Sequence, residues 1–515
     1  MKVAAIAALA CGVALLISSC AVGPHYQAPR APANAGYTPT PLPETTASTA
    51  VPGGEAQHLA VGGDIPFQWW ELFQCEALNS LIERAFKANP SLPAAQAALR
   101  QAQELTSAQR GFFFPTVAAN YQFERQKLAG NLSGSSAPGV QGNGSVISAY
   151  QNPTRSPHNQ PLYYNLQTAQ LTVGFVPDVF GGNRRQVESL EAQAQEQRFL
   201  LEATYVTLAS NVAAAAIQEA EVRAELAAAH EIVDFNEKAL QILRAQLQLG
   251  YAMRIDVANQ EAALAQAKAL IPPLQKQFEQ TRDLIRALVG NLPNEDVPET
   301  FQLQALQLPR ELPVSLPAKI IEQRPDVRVA EAALHSANAQ VGAAIADMLP
   351  QFSITAADGG TATAFDWLFR SGGPFWNVVG GVSAPIFDGG TLLHRKRAAD
   401  QALKQAAYEY QTTVITAYQN VADTLHAAVS DADALSAAVA AEDAAKVALE
   451  LTRRQMEVGY VNYLVLLTAQ TAYNQALLNR IQAQATRFGD TVALFQALGG
   501  GWWNRVERTA KASAP

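Results

Sequence analysis

Apolar positions along this chain follow two rhythms. The first has spacings of three, four and seven. It runs through Leu190, Ala194, Leu201, Tyr205, Leu208 and Val212, and again through Leu403, Tyr410, Val414, Ala417 and Val421. Those are the spacings of coiled-coil seams, and the many intervening alanines let helices approach closely. They predict long helices over residues 182–249 and 390–458. Each run ends at a glycine followed by tyrosine, Gly250-Tyr251 and Gly459-Tyr460. Inside a helix a glycine costs about 1 kcal/mol relative to alanine. At a helix C-cap it reaches positive φ without steric cost, so each pair predicts a reversal. Returning helices are then expected over 254–289 and 461–498, with Pro272-Pro273 kinking or interrupting the first. From Gly182 to Gly250 is 68 residues and from Gly390 to Gly459 is 69. At about 1.5 Å per residue such rods reach on the order of 100 Å, longer than a compact domain accommodates.

The second rhythm has a period of two and predicts four strands, at about 116–126, 164–176, 351–358 and 375–387. Val117, Ala119, Tyr121 and Phe123 oppose Ala118, Asn120, Gln122 and Glu124; Ala169, Leu171, Val173 and Phe175 oppose Gln170, Thr172 and Gly174. In the second pair, Phe352, Ile354 and Ala356 oppose Ser353 and Thr355, and Trp376, Val378 and Val382 oppose Asn377 and Ser383. Alternation over about ten residues, with aromatics near strand ends, suits a transmembrane barrel with lipid outside and water inside.

The two rhythms occur twice in the same order. Gly250-Tyr251 and Gly459-Tyr460 lie 209 residues apart, as do the "NVA" triplets at Asn211 and Asn420. "FGG" (Phe180 to Gly182) and "DGG" (Asp388 to Gly390) are offset by 208, whereas Pro90 and Pro325, and Pro115 and Pro350, are offset by 235. The first copy therefore carries 27 additional residues within a Gly-, Ser- and Asn-rich stretch between Pro115 and Gly181, which reads as a long exposed loop. In each copy a short helix (Pro90 to Arg110; Pro325 to Met348) has proline in its first turn, where the missing N–H is harmless. The organisation is thus a leader at 1–19, an N-terminal segment at 20–75, a first repeat at 76–290, a Pro-rich link at 291–317, a second repeat at 318–498 and a tail at 499–515.

Composition narrows the function classes. Asp and Glu total 45 against 37 Lys and Arg, a net charge of −8, which gives no footprint for nucleic acid. Three cysteines and seven scattered histidines form no CxxC pair and no HExxH, so no metal site, cofactor or disulfide framework is expected. No nucleophile elbow or phosphate loop points to an enzyme, and no catalytic residues are assigned. At the N-terminus, Lys2 precedes a 15-residue apolar run from Val3 to Ile17, too short for a comfortable membrane span, and "ISSC" follows. This resembles a bacterial lipobox, in which Cys20 becomes the lipid-modified first residue. Ala21 in place of aspartate favours the outer membrane in the lipoproteins it resembles. Cys75 is expected to be a small packed thiol.

Four strands cannot close a membrane barrel, for which eight is the minimum, and an unpaired edge inside hydrocarbon is intolerable. The barrel must be shared among two, three or four copies, and the pattern does not choose among them. The lipobox with "CAVGPHYQAP", the "WWELFQCEALNSLIERAFKANPSL" stretch, the "FGG" and "DGG" helix starts and both Gly-Tyr turns resemble the TolC-like outer-membrane efflux lipoproteins of NodT type, across essentially the whole mature chain. The resemblance implies a homotrimer: an all-α, long coiled-coil barrel continuous with a twelve-stranded transmembrane β-barrel, built from two internal repeats with four strands per protomer. It implies an outer-membrane channel with a periplasmic extension, an adaptor protein as partner, and an inner-membrane transporter of RND, MFS or ABC type as the energy source. The turns "LGY" (Leu249, Gly250, Tyr251) and "VGY" (Val458, Gly459, Tyr460) occupy the places where adaptor hairpins dock in that family. A leucine and, four residues later, an aspartate commonly form its constricting rings; here Leu464 matches, but Thr468 stands where the carboxylate is expected. The ring then keeps its geometry and loses its charge, since both residues share a helix face. Asp256, with Arg254 two residues before it, is a candidate for an inter-protomer link at the same gate. The functional expectation is a passive duct for small molecules. The alternatives are a duct for type I protein secretion or a lipid-anchored coiled-coil scaffold, and the latter leaves the alternating strands unexplained.

Overall fold

The computed structural model describes residues 21–32, 36–128 and 162–505; the leader, Cys20, most of the insertion and the last ten residues lie outside the described residues. In chain order the main elements are β1 (His58–Val61), α1 (Glu76–Ala88), α2 (Ser91–Arg110), β2 (Thr116–Leu128), β3 (Leu162–Phe175), α3 (Gly182–Gln248), α4 (Arg254–Leu288), β4 (Glu311–Val314), α5 (Pro325–Ala346), β5 (Gln351–Ala362), β6 (Pro374–Ser383), α6 (Thr391–Glu457) and α7 (Tyr463–Ala497). They fall into two units. One comprises Met1–Gln27, Gln101–Ala194 and Ala333–Ala406; the other comprises Ala28–Arg100, Gln195–Ala332 and Ala407–Pro515.

The first unit holds an antiparallel sheet in the order β2-β3-β5-β6. Directly opposed residues share a face. Val117, Ala119 and Tyr121 therefore stand beside Val173, Leu171 and Ala169, while Asn120 stands beside Gln170 on the other face. On that second face Asn120 Nδ2 donates to Thr172 Oγ1 at 3.3 Å and Thr168 bonds Thr361 at 3.2 Å. Over Val117–Tyr121 and Ala169–Val173 one face of the hairpin is thus apolar, while the other carries hydrogen-bonding groups. β2 and β6 are edges with no strand beside them among the described residues. Both long helices begin on a carboxylate. Asp178 accepts from the N–H of Asn183 and Arg184 at 2.9 Å each, and Asp388 accepts from Gly390 at 2.9 Å and Leu392 at 2.7 Å. Negative charge at a helix N-terminus complements its dipole. The chain's first described residues are tied to the same place: Val22 N–H donates to Phe180 O at 3.1 Å, and Arg185 Nε donates to Val22 O at 2.9 Å.

In the second unit, Trp69, Trp70, Phe73, Phe488 and Phe495 form a fully buried aromatic core, with Trp69 stacked on Phe495 at 5.3 Å between centroids. Arg487 on α7 is 1 % exposed and donates to Gly53 O, Thr46 Oγ1 and Glu55 O, which stitches the N-terminal segment to this helix. Glu219 on α3 is fully buried; it takes Arg223 as ion-pair partner and accepts from Phe301 N–H at 2.9 Å, anchoring the 291–317 link. Within that link β4 pairs in parallel with β1, from His58↔Glu311 to Val61↔Val314, a pairing absent from the expectation of a Pro-rich connector. Of the kink or interruption expected at Pro272-Pro273, the interruption is absent: α4 is continuous through both prolines. Both are exposed, as are Lys268 and Ala269, whose carbonyls lose their helical donors. Solvent replaces those bonds, which lowers the cost of retaining the helix.

Candidate functional site: the helical tip and its gate

α3 and α6 end in the same way. Gly250 (φ +79°) lies in a double-bonded cap, with Tyr251 N–H donating to Gln246 O at 2.8 Å and Gly250 N–H to Leu247 O at 3.1 Å. In the second copy Gly459 (φ +81°) does the same, through Tyr460 N–H to Gln455 O at 2.9 Å and Gly459 N–H to Met456 O at 3.0 Å. A side chain at either glycine would meet open space, so it is the positive φ and not crowding that requires glycine. The two tyrosines are each 84 % exposed, and Leu249, Met253, Ile255 and Val458 are exposed beside them. Six large apolar side chains are thus left exposed at the two turns.

The returning helices start differently in the two copies. Asp256 Oδ2 accepts from the Met253 N–H at 3.0 Å, so this carboxylate is spent on its own helix N-terminus, while Arg254 is exposed. In the second copy Asn462 is the cap, its Oδ1 accepting from Val465 N–H at 3.2 Å. Leu464 and Thr468 follow on one exposed face, and the Thr468 hydroxyl donates back to Leu464 O at 2.9 Å. The hydroxyl is thereby satisfied internally and presents no charge.

A buried polar tie joins the two hairpins just behind these residues. Tyr463, the first residue of α7, donates its hydroxyl to Gln260 Oε1 on α4. Gln260 Nε2 donates to the carbonyl and side-chain oxygens of Asn236 on α3, at 2.8 and 3.0 Å, and Asn236 Nδ2 donates to Ile232 O at 2.7 Å. Gln260 is fully buried and Asn236 nearly so. Tyr463 also packs against the buried trio Leu240, Leu243 and Val257. Burial, with the Asp256 carboxylate adding to it, pushes the Tyr463 hydroxyl up to about 12, so it remains a donor at any physiological pH. Sequence reading missed this tie; its members lie 24 and 203 residues apart and no spacing rule connects them. Among the described residues no three or more His, Cys, Asp or Glu side chains converge to hold a metal.

Two long helical hairpins and an open four-stranded sheet in one chain are the parts of an envelope channel subunit. The sequence profile described as "Outer membrane efflux protein" matches residues 81–291 and 316–500, and the chain belongs to that family. Among curated relatives, the pyoverdine export outer membrane protein OpmQ of Pseudomonas putida is 26 % identical over 90 % of this chain and 94 % of its own length. The antibiotic efflux pump outer membrane protein ArpC of Pseudomonas putida is 28 % identical over 97 % and 96 %. Among solved structures, the outer-membrane channel OprN superposes with a TM-score of 0.79 at 25 % identity, covering 94 % of this chain and all of that one. The CmeC outer membrane channel of Campylobacter jejuni gives 0.80 at 20 % identity, covering 94 % and 95 %, and so speaks for the fold. The fold is TolC-like, and the chain is the outer-membrane channel of a tripartite efflux system.

Proposed function

We propose that three copies of this chain form a passive duct that carries small organic molecules across the outer membrane, anchored by lipid on Cys20. An inner-membrane transporter of RND, MFS or ABC type drives it through a periplasmic adaptor. The observation that carries the reading is the pair of identically built tip turns. Leu249, Gly250 and Tyr251, with Val458, Gly459 and Tyr460, expose apolar side chains that no described residue covers. Adaptor hairpins dock there. Relatives named for pyoverdine export and for antibiotic, solvent and toluene efflux support small organic cargo over secreted protein. Leu464 supplies the hydrophobic closure and Thr468 a neutral ring; three threonines near an axis hold a cation far more weakly than three carboxylates. Asp256 and Arg254 flank the same constriction, Asp256 capping its own helix and Arg254 remaining available to a neighbouring copy.

The test is deletion of the gene followed by profiling of tolerance to dyes, antibiotics, solvents and aromatic acids, with complementation by wild type and by Tyr251→Asp/Tyr460→Asp. The reading expects wild type to restore tolerance and the double variant to fail while still inserting in the outer membrane. Unchanged tolerance to every compound would remove efflux as the role. Single-channel recording tests the gate: the neutral ring predicts weak block by divalent cations from the periplasmic side, and strong block contradicts it.

A further inference from the structure

The β2–β3 hairpin sorts its charges by face. The register places Val117, Ala119, Tyr121, Phe123, Arg125 and Lys127 on one face of β2, opposite Val173, Leu171, Ala169, Gln167, Asn165 and Tyr163 of β3. Lys127 Nζ lies 5.5 Å from the centre of the Tyr163 ring, and the Tyr121 hydroxyl donates to Gln167 Oε1 at 2.8 Å, both across that same face. The opposite face carries Glu124, held by Gln126, which in turn accepts from the Tyr164 hydroxyl. Acid therefore points one way and both bases the other. The bases share their face with the apolar band, the side that meets hydrocarbon in a barrel with a watery interior.

Their height along the strand is informative. Exposed apolar side chains on this face run from Val117 to Phe123, about 20 Å of strand at roughly 3.3 Å per residue. At a tilt of about 40° that is roughly 15 Å, and the exposed Phe112 and Phe114 just before the strand extend the apolar stretch toward the ~25 Å band of outer-membrane barrels. Tyr121, which also meets Phe365 edge-on at 6.1 Å, marks the far border of that band with Phe123. Arg125 and Lys127 are the next two positions on the same face, both exposed, at the end of the hairpin away from the helices. Cations just beyond an aromatic girdle stand at the depth of lipid headgroups, not in hydrocarbon and not in bulk water. Guanidinium matches phosphate oxygens in a fork, and ammonium adds a second charge one strand repeat further on.

We propose that Arg125 and Lys127, backed by Tyr163, bind the phosphates of a phosphorylated lipid in the outer leaflet, so that each closed barrel carries one such strip per subunit. The lipid is the source of the phosphate, because the apolar band directly beneath the cations on the same face receives its acyl chains. The inference rests on the barrel reading above.

The probe is a diphosphorylated, acylated glucosamine disaccharide added to the purified assembly in detergent, with its dephosphorylated form and inorganic phosphate as comparisons. Binding is read by native mass spectrometry and by the heat stability of the assembly. The phosphorylated lipid is expected to bind and stabilise wild type. Arg125→Gln/Lys127→Gln should weaken it about tenfold or more, since two charge-assisted bonds are lost; Arg125→Lys/Lys127→Arg should retain it, and Glu124→Gln on the other face should match wild type. Equal binding by Arg125→Gln/Lys127→Gln, or equal binding of the dephosphorylated lipid, overturns the proposal; equal stabilisation by inorganic phosphate overturns its assignment to a lipid. Should the neutralised variant fail to assemble, wild type at about 0.05 and 0.5 M salt reads the same charge term, and salt-independent binding overturns it. Pore formation by wild type in lipid bilayers is measured alongside: if pores form and these arms fail, the headgroup site falls alone, and if no pores form, the barrel reading falls with it.

Discussion

The two long helices, α3 and α6, have the same length of 67 residues, carboxylate-bound starts and glycine-capped ends, yet they are buried differently. In its middle α3 is buried on more than one face: Val212, Ala213, Ala215, Ala216, Ile217 and Ala220 are all inaccessible. α6 buries a single stripe, Tyr410, Val414, Ala417, Val421, Leu425, Ala428, Ala432 and Leu435, at spacings of three and four. Elsewhere on it Tyr408 and Ile415, seven residues apart, are 67 % and 68 % exposed. The difference follows from what the chain folds onto each helix. α3 receives Phe86 of α1 against Tyr205, the link at Phe301 against Glu219, and Trp502 of the tail against Phe199. α6 receives Arg324 at Ala417 O, Pro317 and Tyr37 at Tyr418, and Arg480 of α7 at Glu442. A duplicated unit has thus kept its helix geometry while α3 is buried on more than one face and α6 along a single stripe.

That comparison is most sharply broken by placing a charge on each helix in turn. Ala216→Glu puts a carboxylate where nothing is exposed, at a cost of about 4 kcal/mol or more, and should leave no folded subunit in the outer membrane by immunoblot. Ile415→Glu is expected to leave helix content by circular dichroism unchanged while abolishing heat-resistant oligomers. If both substitutions behaved alike, the two helices would not differ in role.

A smaller effect is expected at the tip. Tyr463→Phe removes the hydroxyl that Gln260 accepts, a loss of about 1 kcal/mol for the bond and somewhat more for the oxygen left buried. Longer open times in single-channel records, with assembly intact, would show that the tie holds the hairpins closed. Unaltered gating would confine it to packing.

A pH dependence is carried by α6. Burial beside the Asp490 carboxylate pushes Asp431 up to about 7. Because the folded chain then holds a proton that the unfolded chain releases near pH 4, stability falls as pH rises between about 4 and 7 and levels off above. Asp431→Asn should flatten that part of a melting-temperature profile between pH 5 and 8 and raise the melting temperature at pH 8. An unchanged slope would mean the pair does not share a proton.

The helices, turns and strands were legible because each rests on a local rule. Glycine at positive φ closes a helix, period two builds a half-wet strand, and both signals came twice. What escaped prediction depends on distant or contextual partners. β1 and β4 are four residues each and pair across 253 positions, with Pro313 arguing against a strand. α4 runs through Pro272-Pro273 because that face is wet, which is a property of the fold and not of the dipeptide. Asp256 as a cap was within reach, since an acid three residues into a helix is a known start signal. Met253 in the capping position concealed it. Cys20 lies outside the described residues, so its lipid remains a proposal.

The central claim is that one polypeptide supplies an open sheet whose edges, β2 and β6, find partners only on other copies. Native mass spectrometry of the full protein released from detergent measures this directly, together with conductance of the same preparation in planar bilayers. Three copies per particle and ohmic pores are expected. A single conducting subunit would contradict it.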